Sequence, residues 1–377
     1  MANELNGLIP VLETSLQEIS RELVGAIPAC ITDMTADSAA EGQKVRVPVT
    51  PPAVNRDITI GQAPVATGDR FGYIDVEITK FRIGEPIVWN GEEERGLGGT
   101  ADRLIANQFT QRMRSLVNEM EEDVCREAAT GAKGGVYGAA GSTLFAVNDM
   151  SDLAQIVKMF NDIGAPQATR QLVINTAAAA NLRNHGVLYR ANEAGTAEML
   201  RQGIIGSLYG FDIRESGGFR MFTPTGAGYL VNGTFAVGDR EIQVDTGTGV
   251  IKKGSTFTIA GDTTKYIVTE DFAGTAGLLK FSPGLKVAPS DNAVITISGA
   301  FLPSAAFTRD AIVLATRAPA MPKRGDSAKD VTNITDPVSG LTFQVAYYGG
   351  YRQERIEIGA AWGVKTVNPQ HSIVLLG

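Results

Sequence analysis

Three different spacings of apolar residues divide the chain. Between residues 10 and 24, Leu12, Leu16, Ile19 and Leu23 recur four, three and four residues apart, which places them along one side of a short helix. Pro10 suits the first helical turn, and Gly25 and Pro28 end the pattern. This segment can pack on its own domain or act as an arm that docks on a neighbour. From 43 to 90 the period shortens to two. Val45, Val47 and Val49 alternate with Lys44, Arg46 and Pro48, and Ile74, Val76 and Ile78 alternate with Asp75, Glu77 and Thr79. The turn-rich stretch between them holds Pro51, Pro52, Gly61, Pro64 and Gly68. The spacing predicts a long two-stranded excursion that returns near where it left. Such a ribbon is marginal alone in water, so it must lie on its own body or on a neighbouring subunit.

Helical spacing is clearest over 100–130, where Leu104, Ile105, Phe109, Met113, Leu116, Val117, Met120, Val124 and Ala128 fall on one face. Thr100 and Gly131 are its expected ends. At about 1.5 Å per residue this is a rod of roughly 45 Å, long enough to be the backbone of a domain. Over 151–222, helix and strand patterns alternate. A helix is expected from Ser151, a buried strand at Leu172–Ile174, an Ala-rich helix over 176–184, a further amphipathic helix over 196–205 and a strand at Phe211–Arg214. From about 225 to 300 the helical period vanishes. Short strands are expected at 241–244, 256–259, 265–269, 278–281 and 293–297, the spacing of a small all-β barrel or sandwich. After Phe307 the mixed character returns, with strands expected near 312–314, 341–348, 353–359 and 362–367. A β module flanked on both sides by α/β material reads as an insertion. The fold class expected is therefore α+β.

Composition narrows the chemistry. The chain has 377 residues and a formal charge of -7, with 43 glycines but only 7% aromatic residues. The acidic balance argues against a broad DNA-gripping face, and the few aromatics argue against base stacking. Cys30 and Cys125 form no metal-ligand spacing and read as buried thiols. The only histidines are His185 and His371, which lowers the case for acid–base catalysis. The glycine-rich stretches 96–99 and 131–141 lack phosphate-loop spacing. Glu119, Glu121, Glu122 and Asp123 read as a solvated helix face, with contact to a basic partner as the alternative. No catalytic, cofactor or metal residue is expected. The start of the chain does not read as a signal peptide, and no apolar run is long enough for a membrane helix.

The order of parts and several local segments carry a resemblance. Residues 203–216 (GIIGSLYGFDIRES), Leu172-Val173-Ile174-Asn175, Phe307-Thr308-Arg309-Asp310-Ala311-Ile312 and Gly363-Val364-Lys365-Thr366-Val367 resemble stretches of tailed-bacteriophage major capsid proteins of the Hong Kong 97 fold. The β insertion resembles that of the short-tailed Salmonella phage coat type, although it is shorter. The resemblance implies an arm (1–42), an extended hairpin loop (43–90), a peripheral domain with a spine helix (91–144), a central domain (145–224 and 301–335) split by an inserted Ig-like or barrel domain (225–300), and peripheral return strands (336–377). It implies self-assembly as pentamers and hexamers into an icosahedral head around double-stranded DNA. A scaffolding protein and a portal protein would be partners, with no membrane contact and no cofactor. The chain would reside in the virion capsid and, during assembly, in the host cytoplasm. Subunit-interface candidates are Val45, Val47, Ile74, Val76 and Ile78 of the loop and Leu12, Leu16 and Ile19 of the arm. On that assignment, Ile74→Asp or Val76→Asp is expected to leave the subunit folded and to block assembly. A nanocompartment shell is the rival within the same fold, and a carbohydrate-binding surface or tail protein using the β module is the alternative from another class.

Overall fold

The computed structural model describes residues 25–40, 42–49, 72–97, 101–147, 149–185, 206–322, 326–335 and 340–377. Leu12, Leu16, Ile19 and the helix expected over 196–205 lie outside the described residues. The described helices are α1 (Gly91–Leu97), α2 (Ala101–Thr130), α3 (Ser151–Ile163) and α4 (Thr176–Arg183). Nearly everything else regular is strand, so the chain is α+β with few helices and many strands.

Helix α2 runs for 30 residues. Its stripe from Phe109 through Met113, Val117, Met120 and Val124 is fully buried, and Leu104, near its start, is 37% exposed. It lies across a seven-stranded sheet whose hub is the 14-residue strand Gln353–Thr366. That strand pairs with Thr342–Gly350, Ile312–Pro319, Lys80–Ile83 and Ile87–Asn90, all antiparallel. Ile31–Ala39 extends the sheet in parallel beside Ile312–Pro319, and Ala328–Thr335 closes the other end. The two strands expected at 353–359 and 362–367 are one. Residues 358–363 are buried on both faces, so the polar–apolar alternation that marks a strand is lost where small residues (Gly359, Ala360, Ala361) pass through the core.

A second, six-stranded sheet has the order Gly135–Gly138, Ser372–Leu376, Pro303–Thr308, Arg170–Ile174, Phe211–Glu215, Ser207–Leu208. Leu172, Ile174, Ala306 and Phe211 face α3 and α4 on one side. Val173, Ala305 and Phe307 face α2 on the other. Helix α3 begins at Ser151, but Ser151 does not cap it: the Asp149 carboxylate takes the Ser151 N–H at 3.0 Å. Helix α4 is capped by Asn175, whose Oδ1 accepts from Ala178 N at 2.8 Å.

The sheets cut across the segments expected from sequence. Of 301–335, only Pro303–Thr308 belongs to the six-stranded sheet, and the strands that follow join the hub sheet. Conversely, Ser372–Leu376 leaves the return strands and enters the six-stranded sheet. The cause is local: a tight turn at Arg309–Ala311 redirects the chain, and the Ala311 carbonyl accepts from both Val367 N and Asn368 N. Likewise 80–90, expected as part of the extended hairpin loop, forms two strands on the hub.

Residues 223–300 leave and rejoin this body at one point. Phe222 and Phe301 exchange backbone hydrogen bonds of 2.9 and 3.0 Å, and their rings lie 5.4 Å apart. Between them is a six-stranded sheet with a small two-stranded companion. Tyr229, Val244, Phe257, Tyr266 and Phe281 fill its core. It is fused to the body as well as tethered to it. Ile267 packs with Ala132, Val374 and Leu376, and Ser282 Oγ donates to the Lys133 carbonyl at 2.6 Å.

Candidate assembly interface

The two-stranded ribbon is Lys44–Val49 paired with Gly72–Glu77. Val45 stands opposite Val76 and Val47 opposite Ile74, so the period of two gives the ribbon one apolar and one polar face. The apolar face lies on the chain's own hub sheet. Val76 has no exposure and meets Val313, Ala315 and Val367, with Val45, Val47, Val49 and Ile74 half-buried around it. Ile78 is also without exposure, against Ala39 and Ala361. Of the expected interface candidates, Val76 and Ile78 are thus buried against the chain's own residues. Val45, Val47 and Ile74 keep partial exposure. The outward face carries Lys44, Arg46, Tyr73 (64% exposed), Asp75 and Glu77. Arg46 meets Asp75 across the ribbon at 3.5 Å.

A groove of about 650 Å³ runs beside the ribbon, lined by Ile31, Asp33, Val47, Val49, Asp310 and His371 among others. A second exposed apolar set lies on the hub sheet, where Ile83 is 60%, Val88 47% and Tyr351 91% exposed. Tyr351 sits at the turn between Thr342–Gly350 and Gln353–Thr366.

Two members of the acidic run on α2 are not solvated, while Glu119 and Glu122 stay partly exposed. Glu121 and Asp123 are buried. The Glu121 carboxylate accepts from Gly25 N (2.8 Å), Ala26 N (2.6 Å), Ile27 N (2.9 Å) and Ser216 Oγ (2.6 Å). It thereby pins the start of the described chain to the middle of the helix. Burial pushes its pKa up, and the four donors pull against that shift without cancelling it. Asp123 accepts from Trp362 Nε1 at 2.8 Å and pairs with Lys80 at 2.8 Å and Arg126 at 2.7 Å. Burial works against the Lys80 ammonium, but its bonds to Asp123 and Glu119 outweigh it and hold the pKa above the usual lysine value. The cluster thus ties helix, hub strand and ribbon root together.

No family model and no curated protein matches the chain. Among solved structures it is similar to one described as Mycobacterium phage Che8, with 15% identity over 89% of this chain and 85% of that one, at a TM-score of 0.46. It is also similar to the capsid of cyanophage P-SCSP1u (10% identity, 92% and 86% covered, TM-score 0.48) and to a virus-like particle from Pyrococcus furiosus (12%, 97% and 97%, 0.42).

Cys30 and Cys125 are buried free thiols. Burial first, and Glu121 second, push the Cys30 pKa to about 12 and that of Cys125 well up. His185 is buried with Nε2 3.0 Å from the Phe145 carbonyl. Among the described residues, no group of three or more His, Cys, Asp or Glu side chains could hold a metal ion, and no helix is long and apolar enough to cross a membrane. The residues that sequence reasoning passes over are Lys80 and Trp362, while Asp123 is noticed but read as part of a solvated face. Their signal is present in the chain: carboxylates placed next to the buried stripe of α2, and a lone Trp in a run of small residues.

Proposed function

We infer that this chain is a shell-forming subunit, the major capsid protein of a tailed phage, which assembles with copies of itself into an icosahedral head around double-stranded DNA. The observation that carries this reading is the plan of the chain. A long helix spans two separate sheets, an extended ribbon and a free apolar sheet rim lie at the periphery, and a β module interrupts the central sheet at a single doorway. These parts follow the same order as the capsid resemblance read from the sequence. The polar outer face of the ribbon, the rim at Ile83, Val88 and Tyr351, and the half-exposed Val45, Val47 and Ile74 supply contacts of modest individual strength. Repeated heterologous contacts that close make rings, and many weak contacts acting together make a durable shell. Leu12, Leu16 and Ile19 would contribute from the arm, and a scaffolding protein and a portal protein would act as partners. The net charge of -7 suits a container that must not grip its DNA.

Negative-stain electron microscopy of the full chain, expressed alone and with its neighbouring genes, tests this reading. Closed polyhedral or round particles, including aberrant ones, support it. Uniform monomers or dimers under every condition, scaffold included, overturn it.

A further inference from the structure

A cleft of about 770 Å³ opens between the β module and the edge of the six-stranded sheet, within the roughly 300–1,000 Å³ of ligand-binding clefts. Its floor is the strand Gly135–Gly138, which pairs on one side only, together with Met159 and Ile163 of α3. Lys133, Lys265 and Lys286 rim it. Of the lining residues Asp162 alone is acidic, and Lys158 holds it at 2.8 Å. Asp262, next to the cleft, accepts from Tyr266 and Thr264. Lys133 and Lys286 have no ion pair among the described residues. Lys265 donates to the Gly138 carbonyl, and burial without a carboxylate holds its pKa below the usual lysine value. In a chain of charge -7, three uncompensated lysines above an apolar floor call for an acidic amphipathic partner.

The chain contains one. Residues 1–24 carry four glutamates against one arginine. On a helix, Glu18 and Glu22 flank the stripe of Leu12, Leu16, Ile19 and Leu23 on one side and Glu13 flanks it on the other. A helix laid in its own subunit's cleft could not bring Leu23 with it. Gly25 is pinned against the Glu215 backbone, on the fifth strand of a sheet whose first strand floors the cleft. Four strand spacings of about 4.8 Å make roughly 19 Å, whereas Leu23 lies within about 7 Å of chain from Gly25.

We propose that the cleft receives residues 10–24 of a second copy of this chain, with the apolar stripe on the floor and the glutamates at the lysine rim. The proposal rests on the shell reading and names one of its contacts. Chains carrying Leu16→Cys are mixed with chains carrying Met159→Cys, allowed to assemble and joined with a short bismaleimide; the natural cysteines are buried. Thr263→Cys, exposed on the module side of the cleft, replaces Met159→Cys if the latter does not fold. Covalent dimers from the mixture are expected, and Lys133→Glu with Lys286→Glu in the acceptor should lower their yield about tenfold, as reversal of two rim charges would. Particles that form without covalent dimers overturn the docking and leave the shell standing. Dimers without particles keep the docking and sink the shell. Linkage only within a chain carrying both cysteines overturns the second-copy assignment. Binding of a labelled oligonucleotide that the two lysine reversals abolish, with no dimers, assigns the cleft to nucleic acid instead.

Discussion

Val76 and Ile74 are two residues apart on one strand and share its apolar face, yet their substitution should separate folding from assembly. Val76 has no exposure and lies over Val313, Ala315 and Val367. Val76→Ala removes two methyl groups, about 0.8 kcal/mol each by transfer, and the cavity left under the ribbon brings the loss to about 2–3 kcal/mol. With a urea m-value of about 3 kcal/mol/M, the midpoint falls by roughly 0.8 M. Val76→Asp places a carboxylate among Val313, Ala315 and Val367 and should cost more than Val76→Ala. The burial of Val76 therefore predicts that this variant loses stability as well as any assembly. Ile74 is half-buried, opposite Val47 near the open end of the ribbon. Ile74→Asp can turn its carboxylate to solvent, so about 1–2 kcal/mol is expected, with a soluble folded subunit that no longer forms particles in electron micrographs. Urea denaturation followed by tryptophan fluorescence reads the hub directly, because Trp362 is buried within it. A Val76→Ala midpoint equal to wild type would refute the placement of the ribbon on its own sheet.

Glu121→Ala strands three backbone N–H groups and should cost about 3–5 kcal/mol, seen as a lower urea midpoint and faster proteolysis near residues 25–30. Because the folded-state pKa of Glu121 is raised, its contribution is fully present below the unfolded carboxyl range near 4.3 and lost as pH rises through the folded pKa; the gap between wild type and Glu121→Ala should therefore narrow from acid to neutral pH, and a gap that widens would reverse the reasoning. Gly363→Ala places a Cβ 2.0 Å from the Glu77 carbonyl oxygen, a backbone clash that should cost about 1–3 kcal/mol and speed hydrogen exchange across residues 72–78. Asp123→Ala leaves the Lys80 ammonium and the Trp362 N–H without their buried acceptor, and a midpoint loss matching about 3 kcal/mol or more is expected.

Legibility in the sequence follows periodicity. The spine helix is legible because nine apolar residues keep one phase along its length, and the ribbon because Val45–Val49 and Ile74–Ile78 keep a strict alternation. The strand at Gln353–Thr366 reads as two because its middle is buried on both faces, which erases alternation. Strand Ala328–Thr335, half-buried in alternate positions, escapes notice because Lys329, Asp330 and Asn333 read as loop. Strand partners are not legible at all: nothing in Ser372–Leu376 says that it leaves the hub for the other sheet, since the turn at Arg309–Ala311 that divides the two sheets is held by contacts to Val367 and Asn368, far along the chain. The polar staples are misread for a related reason. A carboxylate beside an apolar stripe is solvated unless another segment brings donors to it, and the donors to Glu121 come from residues 25–27 and 216, far from it in the chain.

The use of each ribbon face bears on how a shell would assemble. Val76, on its apolar side, is spent on Val313, Ala315 and Val367, so what it offers outward is Lys44, Arg46, Tyr73, Asp75 and Glu77, with the half-exposed Val45, Val47 and Ile74 beside them. Exposed charge pairs of this kind contribute about 0–1 kcal/mol each and are screened by salt over about 10 Å. Contacts made by this face would be weak singly, sensitive to ionic strength and reversible, which lets a misplaced subunit leave before the next one locks it in. Strong apolar burial is kept inside the subunit, where Asp123 joins α2 to Trp362 and Lys80 of the hub sheet and Glu121 joins it to residues 25–27 and Ser216. A subunit built this way can join and leave a growing lattice without unfolding, and if it is a shell protein, raising the salt concentration should slow its assembly without shifting its denaturation midpoint.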